Sequence, residues 1–314
     1  MAQNLCFSNH SLTSGLIVLI GLLFPQLIFG AELSVAPMFQ EVVINEEREV
    51  QAEVTLTNTT QVITPFRLSV YDFGNLDESG GVAFLGAKGD LRSNYALAEW
   101  MKLDRDTVSL APGESATIQV TIRNDDTLAP GGHYGAVVFQ SAKDPERGAP
   151  NTIAINHMVA ALLFVKKVGG ANPKLALIEQ QETSGLFRLP EMTLRFRNEG
   201  NVHVVPRGKV ELRDPAGRLV AKGIINEATS LVLPETERVF PVKLFMVKRA
   251  WLPGWYTLDT SYRFDGEEQF TVSTKRYFSF PPLTLELGLF LGGVYVAWHY
   301  WRRRKLRVQT KTGV

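Results

Sequence analysis

The chain has 314 residues, a length that suits two ordinary domains, and its 45% hydrophobic and 21% charged residues are a globular composition. The formal net charge is +1, but six of the 33 lysines and arginines lie in the last 13 positions. The other 27 stand against 31 acidic residues between Glu32 and Glu268. The body of the protein is therefore mildly acidic, which argues against binding to nucleic acid.

Residues 1–31 predict a secretory signal peptide. The stretch 14–31 is uncharged, is interrupted by Pro25, and ends in Gly30 and Ala31, small residues that are typical of a cleavage site. No basic residue precedes Arg48, so an uncleaved N-terminal anchor is the alternative. The only cysteine, Cys6, lies in this segment, so the remainder is expected to have no disulfide and no zinc site built on cysteine.

Residues 32–168 predict a first β-sandwich. "EVQAEVTLTN" (49–58) and "ESATIQVTIRN" (114–124) both alternate apolar and polar side chains between turn clusters. Such a period of two is typical of half-buried antiparallel strands. No stretch between the two ends of the chain sustains a helical period, so this region is expected to be all-β.

The second half repeats the order of the first. "LVLPETERVFPVKLF" (231–245) matches "VSLAPGESATIQVTI" (108–122), and a Pro-Gly strand opening follows in each half. We therefore expect two tandem immunoglobulin-like β-sandwiches, 32–168 and 176–280, joined by a linker at 169–175. Tyr134 and Tyr256 follow the two Pro-Gly turns, and each is predicted to anchor a turn through its hydroxyl.

The first half is longer than the second because of an insertion at 74–100. This glycine-rich stretch carries Phe84, Tyr95 and Trp100, which are candidate binding residues because long loops on rigid sandwiches commonly hold recognition surfaces. The alternative is a loop folded back on its own domain, with Trp100 in the core. The apolar run 152–167 predicts either a central strand or an edge strand that could pair with another protein.

Residues 283–301 predict a transmembrane helix, because 19 residues with one acid, Glu286, match the thickness of a bilayer. The basic tail 302–314 would then be cytoplasmic, with the rest of the mature chain extracellular or periplasmic. A buried core helix is the alternative. The residues expected to anchor and orient the span are Trp298, Trp301, Arg302, Arg303, Arg304 and Lys305.

No pattern of catalytic, metal-binding or cofactor-binding residues is specific, so the chain is expected to be non-enzymatic, without a cofactor. "DESGG" (77–81) faintly resembles the surroundings of a serine-protease nucleophile, with Ser79 at the centre, but a glycine turn accounts for it. His133, His157 and His203 lack the spacing of a zinc motif.

"VTLTNTT" (54–60), "PGGHYGAVVF" (130–139) and "VAALLFV" (159–165) resemble the first ectodomain of the WxL-interacting cell-surface proteins. The resemblance implies two immunoglobulin-like domains, one terminal span, a first domain that engages peptidoglycan and a second that engages surface proteins or a host. A broader resemblance links the tandem modules to periplasmic pilus chaperones, which are soluble.

These observations predict a membrane-anchored surface protein that contacts the lipid bilayer and holds a cell-wall polymer or a surface protein. The alternative is a tethered chaperone or assembly factor that pairs strands with exported surface subunits along 152–167.

Overall fold

The computed structural model describes residues 33–87, 94–141, 158–183, 191–250 and 252–309. The predicted signal peptide, 1–31, and His157 lie outside these residues. The described chain is mostly β, in two successive β-sandwiches followed by one long helix. The limits assigned to the two domains and to the linker from the sequence stay a prediction.

The first sandwich has two sheets, with strand orders β1-β3-β8-β6 and β2-β10-β9-β4-β5, and β7 also pairs with β4. All described pairs in it are antiparallel except β10 with β2. The strands are β1 (Leu33–Ala36), β2 (Phe39–Ile44), β3 (Glu49–Asn58), β4 (Thr64–Asp77), β5 (Gly80–Ala87), β6 (Met101–Leu103), β7 (Thr107–Leu110), β8 (Ser115–Arg123), β9 (Gly131–Ser141) and β10 (Met158–Lys167).

The second sandwich has a three-stranded sheet, β11-β12-β15, and a five-stranded sheet, β16-β14-β13-β17-β18. Each sandwich has its own cluster of buried apolar side chains. The strands are β11 (Leu175–Thr183), β12 (Glu191–Asn198), β13 (Pro206–Arg213), β14 (Leu219–Ile225), β15 (Glu237–Val242), β16 (Phe245–Met246), β17 (Gly254–Phe264) and β18 (Thr271–Ser279).

The alternating segments form strands because one face of each can be buried. In β3, Ala52, Val54 and Leu56 are buried while the residues between them face outward or lie half-buried. In β8, Ile118 and Val120 point to the same core from the paired strand. A shift of either strand by one residue would expose the whole apolar set, so the alternation also fixes the register.

A buried asparagine closes the same turn in both sandwiches. Asn58 Nδ2 donates to the carbonyls of Val62 (2.9 Å) and Leu110 (2.8 Å). Asn198 Nδ2 donates to the carbonyls of Val202 (2.8 Å) and Val232 (2.9 Å). Each side chain thus supplies the donor that two loop carbonyls would otherwise lack inside the protein.

The two copies differ at the residue after the proline of this turn. Gly113 has a φ of 75°, and Glu235 occupies the equivalent position with a φ of 58°. Both backbone amides donate to the carbonyl of the buried asparagine in their own sandwich. A left-handed conformation is less favourable for glutamate than for glycine.

The C-terminal helix, α1 (Pro282–Gln309), does not bear out the predicted membrane span. Nowhere in the described chain does a helix combine the length and the apolarity that crossing a bilayer requires. Glu286, His299 and the glycines at 288, 292 and 293 dilute its apolar content. The predicted span at 283–301 and the single-pass cell-membrane localisation are therefore wrong.

The alternative of a buried core helix does not hold either, because the side chains from 285 to 302 are exposed. Trp298 and Trp301 lie on this exposed helix, and the Arg302 guanidinium stands 5.4 Å from the centre of the Trp298 ring. The side chains of Arg303, Arg304 and Lys305 lie outside the part of the chain whose side chains are described.

Replacing the buried asparagine should unfold the second sandwich more easily. We expect Asn198→Ala to lower the free energy of unfolding by about 2 kcal/mol or more, because two buried carbonyls lose their donor. Urea denaturation of the full chain measures this. Gln181→Ala is the matched control, since this amide is exposed, and it should cost less than about 0.5 kcal/mol. Equal losses in both variants would contradict the assigned role.

Candidate functional site between the two sandwiches

Strand β10 is apolar on both of its faces. Val159, Ala161, Leu163 and Val165 point into the core of the first sandwich. Ala160, Leu162 and Phe164 point to the opposite side of the sheet, where they pack with residues of neighbouring strands and of the second sandwich. We call this opposite side the outer face. Its other members are Tyr71, Phe73, Tyr95, Tyr134, Ala136 and Val138, and Leu231 and Leu233 of the second sandwich pack against it.

One edge of β10 is open over its first four residues. On one side, β9 pairs with the whole strand, Met158 to Lys167. On the other side, β2 pairs only from Leu162 onward, and the Leu162 amide donates to the Met38 carbonyl. Backbone groups on one side of a strand alternate, so the N–H and C=O of Met158 and Ala160 point to the open side. No described strand pairs with them there.

The apolar stretch predicted at 152–167 is therefore partly central and partly edge. Its last six residues lie between two strands, and Met158 to Ala161 have one unpaired side. Residues 152–157 lie outside the described chain. Met158 is 52% exposed, although it continues the apolar outer face.

Tyr134 joins the two sandwiches at the centre of the outer face. Its hydroxyl accepts the backbone N–H of His203 at 2.8 Å and lies 3.2 Å from Nδ1 of the same residue. The hydroxyl is free to donate its own proton, and Nε2 faces the Glu41 carboxylate at 3.6 Å, so we assign the ring proton to Nε2 and the acceptor role to Nδ1. Burial raises the pKa of Tyr134 well above its usual range, which keeps this donor in place.

The surroundings of His203 disfavour its protonated form. Its side chain is 7% exposed and packs edge-on against Phe164 and Tyr134. Burial lowers the pKa of His203 below 6.5, and the nearby Lys166 adds to this effect, while Glu41, 3.6 Å from Nε2, opposes it. Adding a proton at Nδ1 would remove the acceptor that Tyr134 uses.

A cavity of about 730 Å³ lies between the outer face and the second sandwich. This volume is in the range of known ligand sites. On the first sandwich its walls combine three phenylalanine rings, Leu162 and Val82 with the polar side chains of Gln40, Glu41 and Asn75, and Leu231, Leu233 and the half-buried Arg238 close it from the second. The residues that line the cavity include Phe39, Phe73, Leu162, Phe164, Ala228 and Arg238.

The insertion at 74–100 bridges the two sandwiches. Its first part forms the β4–β5 hairpin, where the Glu78 carbonyl accepts the Val239 amide at 2.7 Å and the Glu78 carboxylate pairs with Arg195. Asn75 Nδ2 donates to Thr236 Oγ1 at 2.9 Å. The hairpin is thus fixed to the second sandwich by backbone and side-chain contacts.

Of the three aromatic residues predicted to bind a ligand, Tyr95 contacts the second sandwich. Its hydroxyl donates at 3.0 Å to Glu235, the residue in the left-handed turn position. Burial and this bond raise the pKa of Tyr95 to about 12. Phe84 is 37% exposed and packs on Tyr71. The two rings are neighbours across the hairpin.

Trp100 packs against the first core, as the alternative reading of this loop proposes. Its Nε1 donates to Asp125 (3.2 Å) and Thr127 (3.1 Å). The loop before it is held by buried Asp72, whose Oδ1 accepts the amides of Leu97 and Ala98 at 2.7 Å each. The three candidates therefore do not form one common binding surface.

The two tyrosines predicted to anchor turns behave differently. Tyr256 donates to the Leu252 carbonyl at 2.7 Å, four residues earlier in the same sandwich. Tyr134 reaches the other sandwich instead. Nothing in the sequence marks His203 as its partner, because the two residues are 69 positions apart; the apolar character of both faces of 158–167 was the only available signal for this site.

No protein-family model and no curated protein matches the chain. Among solved structures, a chain from a chaperone–tip adhesin complex of CFA/I fimbriae biogenesis is 14% identical, with 78% of this chain and 99% of that chain covered, at a TM-score of 0.41. The class 5 fimbriae chaperone CfaA is 12% identical (77% and 98% covered, TM-score 0.39). The E. coli chaperone DraB is 14% identical (79% and 96% covered, TM-score 0.36).

The predicted resemblance to the WxL-interacting proteins is wrong: no family model matches, and the similar solved structures named above come from chaperones and a chaperone–adhesin complex. The motifs that carried it, such as "VTLTNTT" and "PGGHYGAVVF", are turn and core positions that any tandem sandwich needs. The predicted role as a membrane-anchored protein that binds cell-wall polymer is wrong as well. It depended on that resemblance and on the span at 283–301.

The contact between Tyr134 and His203 should weaken in acid. A histidine whose folded pKa is depressed contributes stability above its unfolded pKa, about 6.5, and this stability is lost as pH falls through the folded pKa. We expect the free energy of unfolding to fall between pH 7 and pH 5. In His203→Phe, which keeps the ring packing, this fall should be smaller. Urea denaturation against pH measures both, and parallel curves would contradict the prediction.

Proposed function

We propose that the chain is a chaperone that captures an extended segment of an exported protein subunit by pairing with the open edge of β10. The observation that carries this proposal is the unpaired side of Met158 to Ala161, in a strand whose two faces are both apolar. An open strand edge is a template for a strand of another polypeptide, because its free N–H and C=O groups need partners.

Three features support a client of this kind. The pairing groups are supplied by the backbone, which suits an extended polypeptide better than a compact ligand. The exposed Met158 offers an apolar side chain beside the unpaired edge. The neighbouring part of β10 is held on both sides by β2 and β9, so the edge is presented by a rigid sheet and needs no rearrangement to bind.

We further propose that the chain is not an enzyme and that both sandwiches are immunoglobulin-like. Ser79 Oγ, the one serine in a protease-like string, donates to Asp77 within a tight turn at 2.6 Å. The two ring nitrogens of His133 face the backbone carbonyls of Ala96 and Ala129 at 2.9 and 2.7 Å, and His203 is occupied by Tyr134. A hydrolase screen of the chain and of Ser79→Ala should detect no turnover that depends on Ser79.

Blocking the open edge should abolish capture. Ala160→Pro removes the N–H that points outward and leaves the bonds to β9 intact, so we expect at least tenfold weaker binding of a fluorescent peptide of alternating valine and threonine. Fluorescence anisotropy measures this binding. Ala160→Val, which keeps the N–H, is the matched control and should bind as the unchanged chain does.

The two variants also separate pairing from folding. Urea denaturation should give similar midpoints for Ala160→Pro and Ala160→Val, since proline is tolerated where a strand amide faces outward. Retained peptide binding by a folded Ala160→Pro chain would contradict capture at this edge.

A further inference from the structure

The open edge of β10 leads directly to the interdomain cavity. A client segment paired with Met158 and Ala160 runs in line with β2, which occupies the same side of β10 from Leu162 onward. The Met38 carbonyl accepts the Leu162 amide, so this side of β10 is already paired from Leu162 onward. The client chain must therefore leave the sheet edge after Ala160, about 7 Å before Leu162 along the strand.

The side chain of β2 that lies nearest to the point where the client leaves the sheet edge borders the cavity. Phe39 pairs with Leu162, and both line the cavity. Phe39 is 64% exposed, so a large apolar ring stands beside the exit without a covering partner. Continuity between the open edge and the cavity makes the captured polypeptide the occupant that fits best.

The chemistry of the walls favours an aromatic side chain. Phe39, Phe73 and Phe164 supply ring faces and edges. Arg238 lines the far wall, where its Nη1 donates to the Leu231 carbonyl at 2.7 Å. No carboxylate among the described residues pairs with this guanidinium, and burial lowers its pKa. The guanidinium already stands 5.7 Å from the centre of the Phe240 ring, and a half-buried cation of this kind also attracts further aromatic rings.

We propose that this cavity selects the client: it receives one aromatic side chain of the captured polypeptide, at the residue where the client leaves the edge of β10. The proposal rests on the proposed function, since the client must first pair with that edge. It adds a rule for client choice that strand pairing alone cannot supply, because backbone bonds do not distinguish side chains.

Two sets of three peptides test this rule. Each alternates valine and threonine and carries phenylalanine, leucine or serine at one end, and a second set carries the same residue at the other end, since the strands can pair in either direction. The phenylalanine peptide of one set should bind the full chain at least tenfold more tightly than the serine peptide. Leucine should fall between them.

Filling the cavity should remove this preference and keep pairing. Ala228→Trp places a large side chain on the cavity rim, from an exposed position on the second sandwich. We expect it to bind the phenylalanine and serine peptides equally, at the level of the serine peptide. Ala216→Trp is the matched control: it is exposed on a turn outside the cavity and should keep the preference.

Arg238→Met keeps an apolar side chain and removes the charge, so it tests whether the guanidinium contributes to the preference for an aromatic residue. The ratio of phenylalanine to leucine binding should fall about threefold if the guanidinium faces the ring. An unchanged ratio would overturn the role of Arg238 in choosing an aromatic client.

The outcomes separate this inference from the proposed function. Equal binding of all peptides, lost in Ala160→Pro, would overturn the aromatic rule and leave capture at the edge standing. A preference that survives Ala228→Trp would place the selecting site elsewhere and also overturn the rule. Absence of binding by every peptide would contradict both.

Discussion

The architecture depends on one strand, β10, being apolar on both faces. A strand with a single buried face would complete the first sandwich and leave its other side to solvent. Because Leu162 and Phe164 add a second apolar face, the sheet needs a cover, and Leu233 and His203 of the second sandwich supply it. The same residues that build the domain interface therefore line the cavity beside the open edge.

The interface combines apolar packing with contacts that fix its geometry. Tyr134 and His203 form a buried pair at its centre. The β4–β5 hairpin reaches across at its side, where Glu78 uses both its carbonyl and its carboxylate. Protonation of the His203 imidazole removes the acceptor of the central contact, whereas the backbone hydrogen bond of the hairpin involves no titrating group. Acid should thus loosen the centre of the interface more than its side.

Much of the fold within each sandwich follows from local patterns. The alternation in 49–58 and 114–124 marks β3 and β8, and the repeated asparagine and proline spacing matches the turns that Asn58 and Asn198 close. These features are set by neighbours a few residues away or by a period of two, so the sequence displays them directly.

Contacts between the sandwiches could not be read in this way. Nothing local pairs Glu78 with Arg195, or Tyr95 with Glu235, because each pair is brought together only when both domains have folded. The sequence predicts a binding loop at the insertion, and nothing in it indicates that the hairpin also bridges the domains. The terminal helix shows a different difficulty: a run of 19 residues with one acid resembles a span in length, while its glycines and polar residues reduce its apolarity below what a bilayer requires.

Hydrogen exchange of single amides, followed by NMR with and without the phenylalanine peptide of alternating valine and threonine, tests the central claim most directly. The account predicts that the amides of Met158 and Ala160 become protected when the peptide binds, because a client strand accepts their hydrogen bonds. The amides on the outer edges of β6 and β7 should exchange as before. Protection at another sheet edge, with Met158 and Ala160 unchanged, would contradict capture at β10.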